Sequence, residues 1–103
     1  MDVLVDGEAI VLSGQEYIMP PLPLIKVPTL APVLRGSSDP LADVEYVNAF
    51  VGAVFWSLKR NYPAIQYEEV EFGIDMTNFT EILAALIKVN ALGADSSGEV
   101  TPQ

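Results

Sequence analysis

Cysteine and histidine are both missing from the 103-residue chain. Without thiols no disulfide can form, and without thiolate or imidazole the usual zinc sites cannot be built. The same two absences exclude the Ser-His and Cys-His nucleophile pairs. Basic charge is scarce: five Lys and Arg stand against fourteen Asp and Glu, for a net charge of -9. A nucleic-acid binder must present clustered cations to phosphates, and docking on anionic lipid needs them too, so no nucleic acid and no membrane is expected as partner. The third absence is a long hydrophobic run. The longest uncharged stretch, Tyr46 to Leu58, has thirteen residues, short of the roughly 20 that a spanning helix needs. Asp43 and Glu45 bound it on one flank, Lys59 and Arg60 on the other. The opening MDVLVDGEAI carries acids where an export leader carries positive charge. A cytosolic protein is expected.

Half of the residues are hydrophobic, which suits a single α+β domain over 1–93. VLVDGEAIVLSGQEYIM reads as a β-hairpin or meander over about residues 2–19, because Asp6-Gly7 and Ser13-Gly14 are turn dipeptides. Five prolines between Pro20 and Pro32 forbid a long regular helix there. That Pro-rich connector, 20–38, is expected to lie on the body with a helical turn or two around Leu24 to Leu34, since its Leu, Ile and Val residues need cover. A solvated PxxP ligand is the other reading. Asp39 and Pro40 then predict a helix start, and the pattern runs to about Tyr62, where Pro63 ends it. YEEVEFG predicts a short second helix. DMTNFTEILAALIKVNALG predicts a final one, with Asp75 or Thr77 as cap and Gly93 as terminator. The polar residues 94–103 are expected to be a disordered tail. The fold class is thus α+β, mainly α.

The long helix has two apolar sides at 100° per residue. Val44, Val47, Phe50, Val51, Val54, Phe55, Leu58 and Tyr62 form a broad arc that the final helix can cover through Phe79, Ile82, Leu83 and Leu86, with Phe72 and Ile74 filling the corner. Beyond a polar strip lie Tyr46, Ala49, Ala53 and Trp56. This floor of small residues between two aromatics is either covered by the strands and connector or left as a groove for a partner helix or a second copy. The partner-binding reading places the site on those four residues.

No catalytic constellation accompanies the acids. Glu68, Glu69 and Glu71 point in different directions from one helix, and Asp2, Asp6 and Glu8 lack the spacing of a calcium loop. No Gly-rich phosphate loop or nucleophile elbow occurs. A non-enzyme with no metal and no cofactor is expected.

The segment LKRNYPAIQYEEVEFGIDMTNFTEILAALIKVNALG resembles the small tail assembly chaperones of long-tailed bacteriophages and prophages. The likeness rests on the corner Arg60-Asn61-Tyr62-Pro63, the acidic helix Tyr67 to Phe72, the step Asp75-Met76-Thr77-Asn78 and the close at Leu92-Gly93. GQEYIMPPLPLIKV is similar to that family's strand running into a Pro-Pro-Leu step. The sequence departs from the pattern at Phe72-Gly73-Ile74, where a Leu-rich run is usual. From the residues themselves, Asn61 and Asn78 suit bonding to free backbone groups at helix ends, and Tyr62 can fold over the turn toward Val51 or Phe55. The resemblance implies binding to the tape measure protein before the tail tube polymerises, contact with tube subunits through an appended domain, homo-oligomers along the client, and residence in the cytoplasm of the bacterial host. A minor structural or connector protein of the tail, or a prophage regulatory protein, is the alternative.

Overall fold

The computed structural model describes residues 4–90. Two antiparallel strands, β1 (Glu8–Leu12) and β2 (Gln15–Met19), pair with Leu12 opposite Gln15 and Glu8 opposite Met19. Ser13 and Gly14 turn the chain between them, both at positive φ (52° and 80°), the geometry a two-residue hairpin loop demands. Period-two alternation sends Ile10, Leu12 and Met19 into the core and leaves Val11 and Glu16 outside. The sheet is therefore a hairpin. Leu4 and Val5 run beside it without forming a strand, and Asp6-Gly7 is a close crossing instead of a turn. A Cβ on Gly7 would stand 1.9 Å from the carbonyl oxygen of Met19, so only glycine lets the backbones pass.

The connector is ordered on the body, as its apolar content predicts. A 3-10 helix, Leu24–Leu30, leads into α1 (Ala31–Arg35), which Gly36 ends at φ 77°. Leu22, Leu30 and Val33 are buried, while Leu24 and Ile25 face outward.

The long helix starts later than Asp39 and Pro40 suggest. Pro40–Ala42 makes only a 3-10 turn, and the Asp39 side chain makes no capping bond. Asp43 is extended instead, and its Oδ1 accepts the N–H of Tyr46 at 3.1 Å, so α2 spans Val44–Asn61. Pro63 follows its end, where the sequence places the stop. The short helix α3 (Tyr67–Gly73) matches YEEVEFG and opens on a capping box between Gln66 and Glu69. The final helix α4 (Phe79–Val89) has Asn78 at its cap position with no side-chain capping bond. Asp75 and Thr77 are not its caps: the Asp75 carboxylate accepts the Thr77 N–H and hydroxyl, folding the turn before the helix. Asp2, the Gly93 terminator and the 94–103 tail lie outside the described residues.

One core joins these elements: Phe50, Val54 and Leu58 of α2 with Ile10, Met19, Leu30, Val70, Ile82 and Leu86. The backbone of α4 comes closest to β1. The hairpin, through β2, thus shares the cover of α2 with α4. Contact between α2 and α4 comes at an edge-to-face pair, Phe50 and Phe79, with centroids 5.1 Å apart. Phe72, expected to fill a corner, is 79% exposed, while Ile74 is half-buried. Among the described residues no helix is long and apolar enough to cross a membrane.

Candidate functional site

The corner after α2 is a clasp on the hairpin. Each strand of a two-stranded sheet has an edge of unpaired N–H and C=O groups. On β2, the Ile18 N–H donates to Tyr62 Oη at 2.8 Å, and the Ile18 carbonyl accepts from Asn61 Nδ2 at 3.1 Å. The same Asn61 amide receives the Val5 N–H at 2.7 Å and donates to the Val5 carbonyl at 3.0 Å, acting as a substitute strand partner. Arg60 Nη1 donates to the Pro21 carbonyl at 2.8 Å. On β1, Asn78 Nδ2 donates to the Val11 carbonyl at 3.2 Å and to that of Gly73 at 2.8 Å.

Of the motif residues, Arg60, Asn61, Tyr62 and Asn78 therefore hold the N-terminal half against the helices, whereas Pro63 and Asp75 act locally, Pro63 after the end of α2 and Asp75 in the turn before α4. Tyr62 does not fold toward Val51 or Phe55. Its ring meets Tyr17 edge-on at 5.1 Å, because its hydroxyl reaches the β2 edge. A third asparagine was not anticipated in this role: Asn90 Oδ1 accepts the Leu22 N–H at 2.9 Å. The signal for it was the same as for the other two, an amide at a helix end.

Tyr46, Ala49, Ala53 and Trp56 do not form an open groove. Tyr46 and Ala53 are buried, and Ala49 and Trp56 are half-buried, because the 3-10 helix and α1 lie on this side of α2. Small residues allow that close approach: Thr29 Cγ2 sits 3.6 Å from where a Cβ on Gly52 would stand. Lys26 Nζ lies 4.0 Å above the Trp56 ring. The chain's own connector occupies the floor of small residues.

Surplus apolar surface exists, but on the arc. Where α2 begins, no element among the described residues closes over it, and an open cleft of about 360 Å³ remains. Val47, Phe50 and Val51 form its floor, and Leu41, Tyr67, Ile74, Met76 and Phe79 its walls. Met76 is 73% exposed, and so is Val44, one turn before Val47 on α2. Glu71 and Asp75 are the charged residues of the lining. Burial, reinforced by the charge of Glu71, raises the Tyr67 phenol above its ordinary 10.0, which keeps it a neutral hydrogen-bond donor. Met76 is a single apolar residue inside a polar turn, without periodicity, and Leu41 lies ahead of the arc in the 3-10 turn Pro40–Ala42, so neither stood out in the sequence.

Chemically, the cleft can bury apolar side chains and offers carboxylates at its rim. Among the described residues no group of three or more acids is placed to hold a metal ion. Comparison with family models, curated proteins and solved structures returns no match.

Proposed function

We propose that the protein is a tail assembly chaperone of a long-tailed bacteriophage or prophage. In this reading it is a non-catalytic binder that keeps the tape measure protein soluble in the host cytoplasm until the tail tube is built. The observation that carries it is the apolar cleft at the start of α2, together with the corner and Asp-x-x-Asn motifs that resemble that family. An exposed contiguous apolar surface on a small acidic protein is suited to a partner. The net charge of -9 keeps the covered client dispersed. The cleft takes over the role expected of Tyr46, Ala49, Ala53 and Trp56. Several copies along one long client multiply individually weak contacts, and tube subunits then replace them.

Co-expression with the neighbouring tape measure gene tests this directly. A higher soluble fraction of the tape measure protein is expected, and no gain would overturn the proposal. A chaperone leaves before the particle is complete, so purified virions should lack the chain. Stoichiometric amounts in them would favour a structural tail protein instead.

A further inference from the structure

We infer that the cleft is built for one kind of client segment: an amphipathic helix whose apolar row is flanked by Lys or Arg. The inference rests on the chaperone reading and adds the chemistry of the segment bound. The floor supplies the apolar half of the match. Val47, Phe50 and Val51 form it, and exposed Val44 extends the same face of α2 by one turn, so the apolar row runs about 10 Å at 1.5 Å per residue, room for two successive anchors of a docking helix. Exposed Met76, unbranched and polarisable, can adjust to whichever apolar side chain enters.

The charge pattern supplies the other half. The chain has no Lys or Arg between Asn61 and Ile87, and of the acids in that stretch Glu71 and Asp75 line the cleft. Every basic residue of the protein is engaged elsewhere. Lys26 covers Trp56, Arg35 pairs with Glu45 at 3.6 Å, and Lys88 pairs with Glu8 at 3.6 Å. Lys59 and Arg60 donate to the carbonyls of Pro63 and Pro21, each at 2.8 Å. None of the five lines the cleft. Among the described residues Glu71 has no ion-pair partner. Lys or Arg flanking the apolar row of an occupant would therefore meet unopposed negative charge at the rim, led by Glu71. A second copy of this chain is a poor occupant, since it would set another charge of -9 against the same carboxylates.

The test uses the full chain and two synthetic helical peptides, titrated by calorimetry. Both carry Leu at i, i+3, i+4 and i+7; one is flanked by Lys, the other by Glu. The Lys-flanked peptide should bind roughly tenfold tighter or more, with the preference shrinking as salt is raised. Glu71→Lys should weaken the Lys-flanked peptide by about three- to tenfold and improve the Glu-flanked one. Met76→Glu, at an equally exposed position, should weaken both. Equal affinity for the two peptides, or indifference to Glu71→Lys, would overturn the inference. So would the absence of peptide binding with self-association that Met76→Glu abolishes, since the occupant would then be a second copy. Co-expression separates the two levels of failure. A tape measure protein solubilised equally by wild type and Glu71→Lys keeps the chaperone and rejects the basic segment. Peptide preference without any solubilisation keeps the cleft chemistry and rejects the chaperone.

Discussion

Replacing Asn61 with Ala removes three hydrogen bonds in one step. Two of them, to the N–H and carbonyl of Val5, are exposed, so water takes over much of their role. The third, to the Ile18 carbonyl, is partly buried and leaves an acceptor short of a partner. With net values of roughly 0.5 kcal/mol for each exposed bond and 1 kcal/mol for the buried one, the loss is about 2 kcal/mol. For a domain of this size that lowers Tm by roughly 10 °C. Urea unfolding followed by far-ultraviolet circular dichroism should show a lower midpoint with an unchanged slope. Amide exchange at Val5 should accelerate, because its acceptor is gone. Tyr62→Phe removes the acceptor of the Ile18 N–H and should cost about 1 kcal/mol. Both side chains hold one residue of β2, so the double variant should deviate from additivity by about 0.5 kcal/mol or more. A loss for Asn61→Ala below about 0.5 kcal/mol, with Val5 exchange unaltered, would refute the clasp.

Ser57 is fully buried and its hydroxyl has no hydrogen-bond partner among the described residues, so Ser57→Ala should be neutral or stabilising by about 0.5–1 kcal/mol in the same unfolding assay; a loss above 1 kcal/mol would mean that the hydroxyl is satisfied. Trp56→Glu places a charge under the connector and should destabilise by about 2–3 kcal/mol, whereas an unaffected midpoint would mean that Trp56 faces outward. Hydrogen bonding by the Thr77 hydroxyl, then its N–H, holds the Asp75 carboxyl below its ordinary 3.8. A depressed folded-state value stabilises above the unfolded pKa and is lost as pH falls through the folded one, so the contribution should fade only below about pH 4. Urea midpoints of wild type and Asp75→Asn between pH 7 and pH 3 should therefore converge in acid, and parallel curves would contradict the pairing.

Local chemistry made much of the fold legible in advance. Ser13-Gly14 needs positive φ and Pro63 cannot continue a helix, so the hairpin turn and the end of α2 follow from a few neighbouring residues, while the Gln66–Glu69 capping box that opens α3 went unread in the sequence. The start of α2 was placed too early, at Asp39, because Asp-Pro is a strong start signal, and the cap is Asp43, four residues on, where the backbone is extended. Longer-range choices were not encoded so plainly. Asn61 and Asn78 read as amides seeking backbone groups, but which groups they find lies 43 to 67 positions away. The two apolar sides of α2 read correctly as two sides. Which one stays open depends on the connector reaching Trp56 and on how far the hairpin and α4 together extend over the arc, and both are tertiary outcomes. The cleft depends on that packing too, with Leu41 and Met76 contributed by turns.

Three methionines and one tryptophan give the chain sparse, well-placed reporters. Met76 lines the cleft, Met19 is fully buried, and Trp56 lies under the connector on another side of α2. The methyl spectrum of methionine-labelled protein should therefore be recorded while the Lys-flanked helix is titrated in, with the Trp56 indole N–H followed in parallel. The Met76 methyl should shift and saturate while Met19 and the Trp56 indole stay in place. A stationary Met76 with a moving Trp56 would put the partner on the connector side and contradict binding in the cleft.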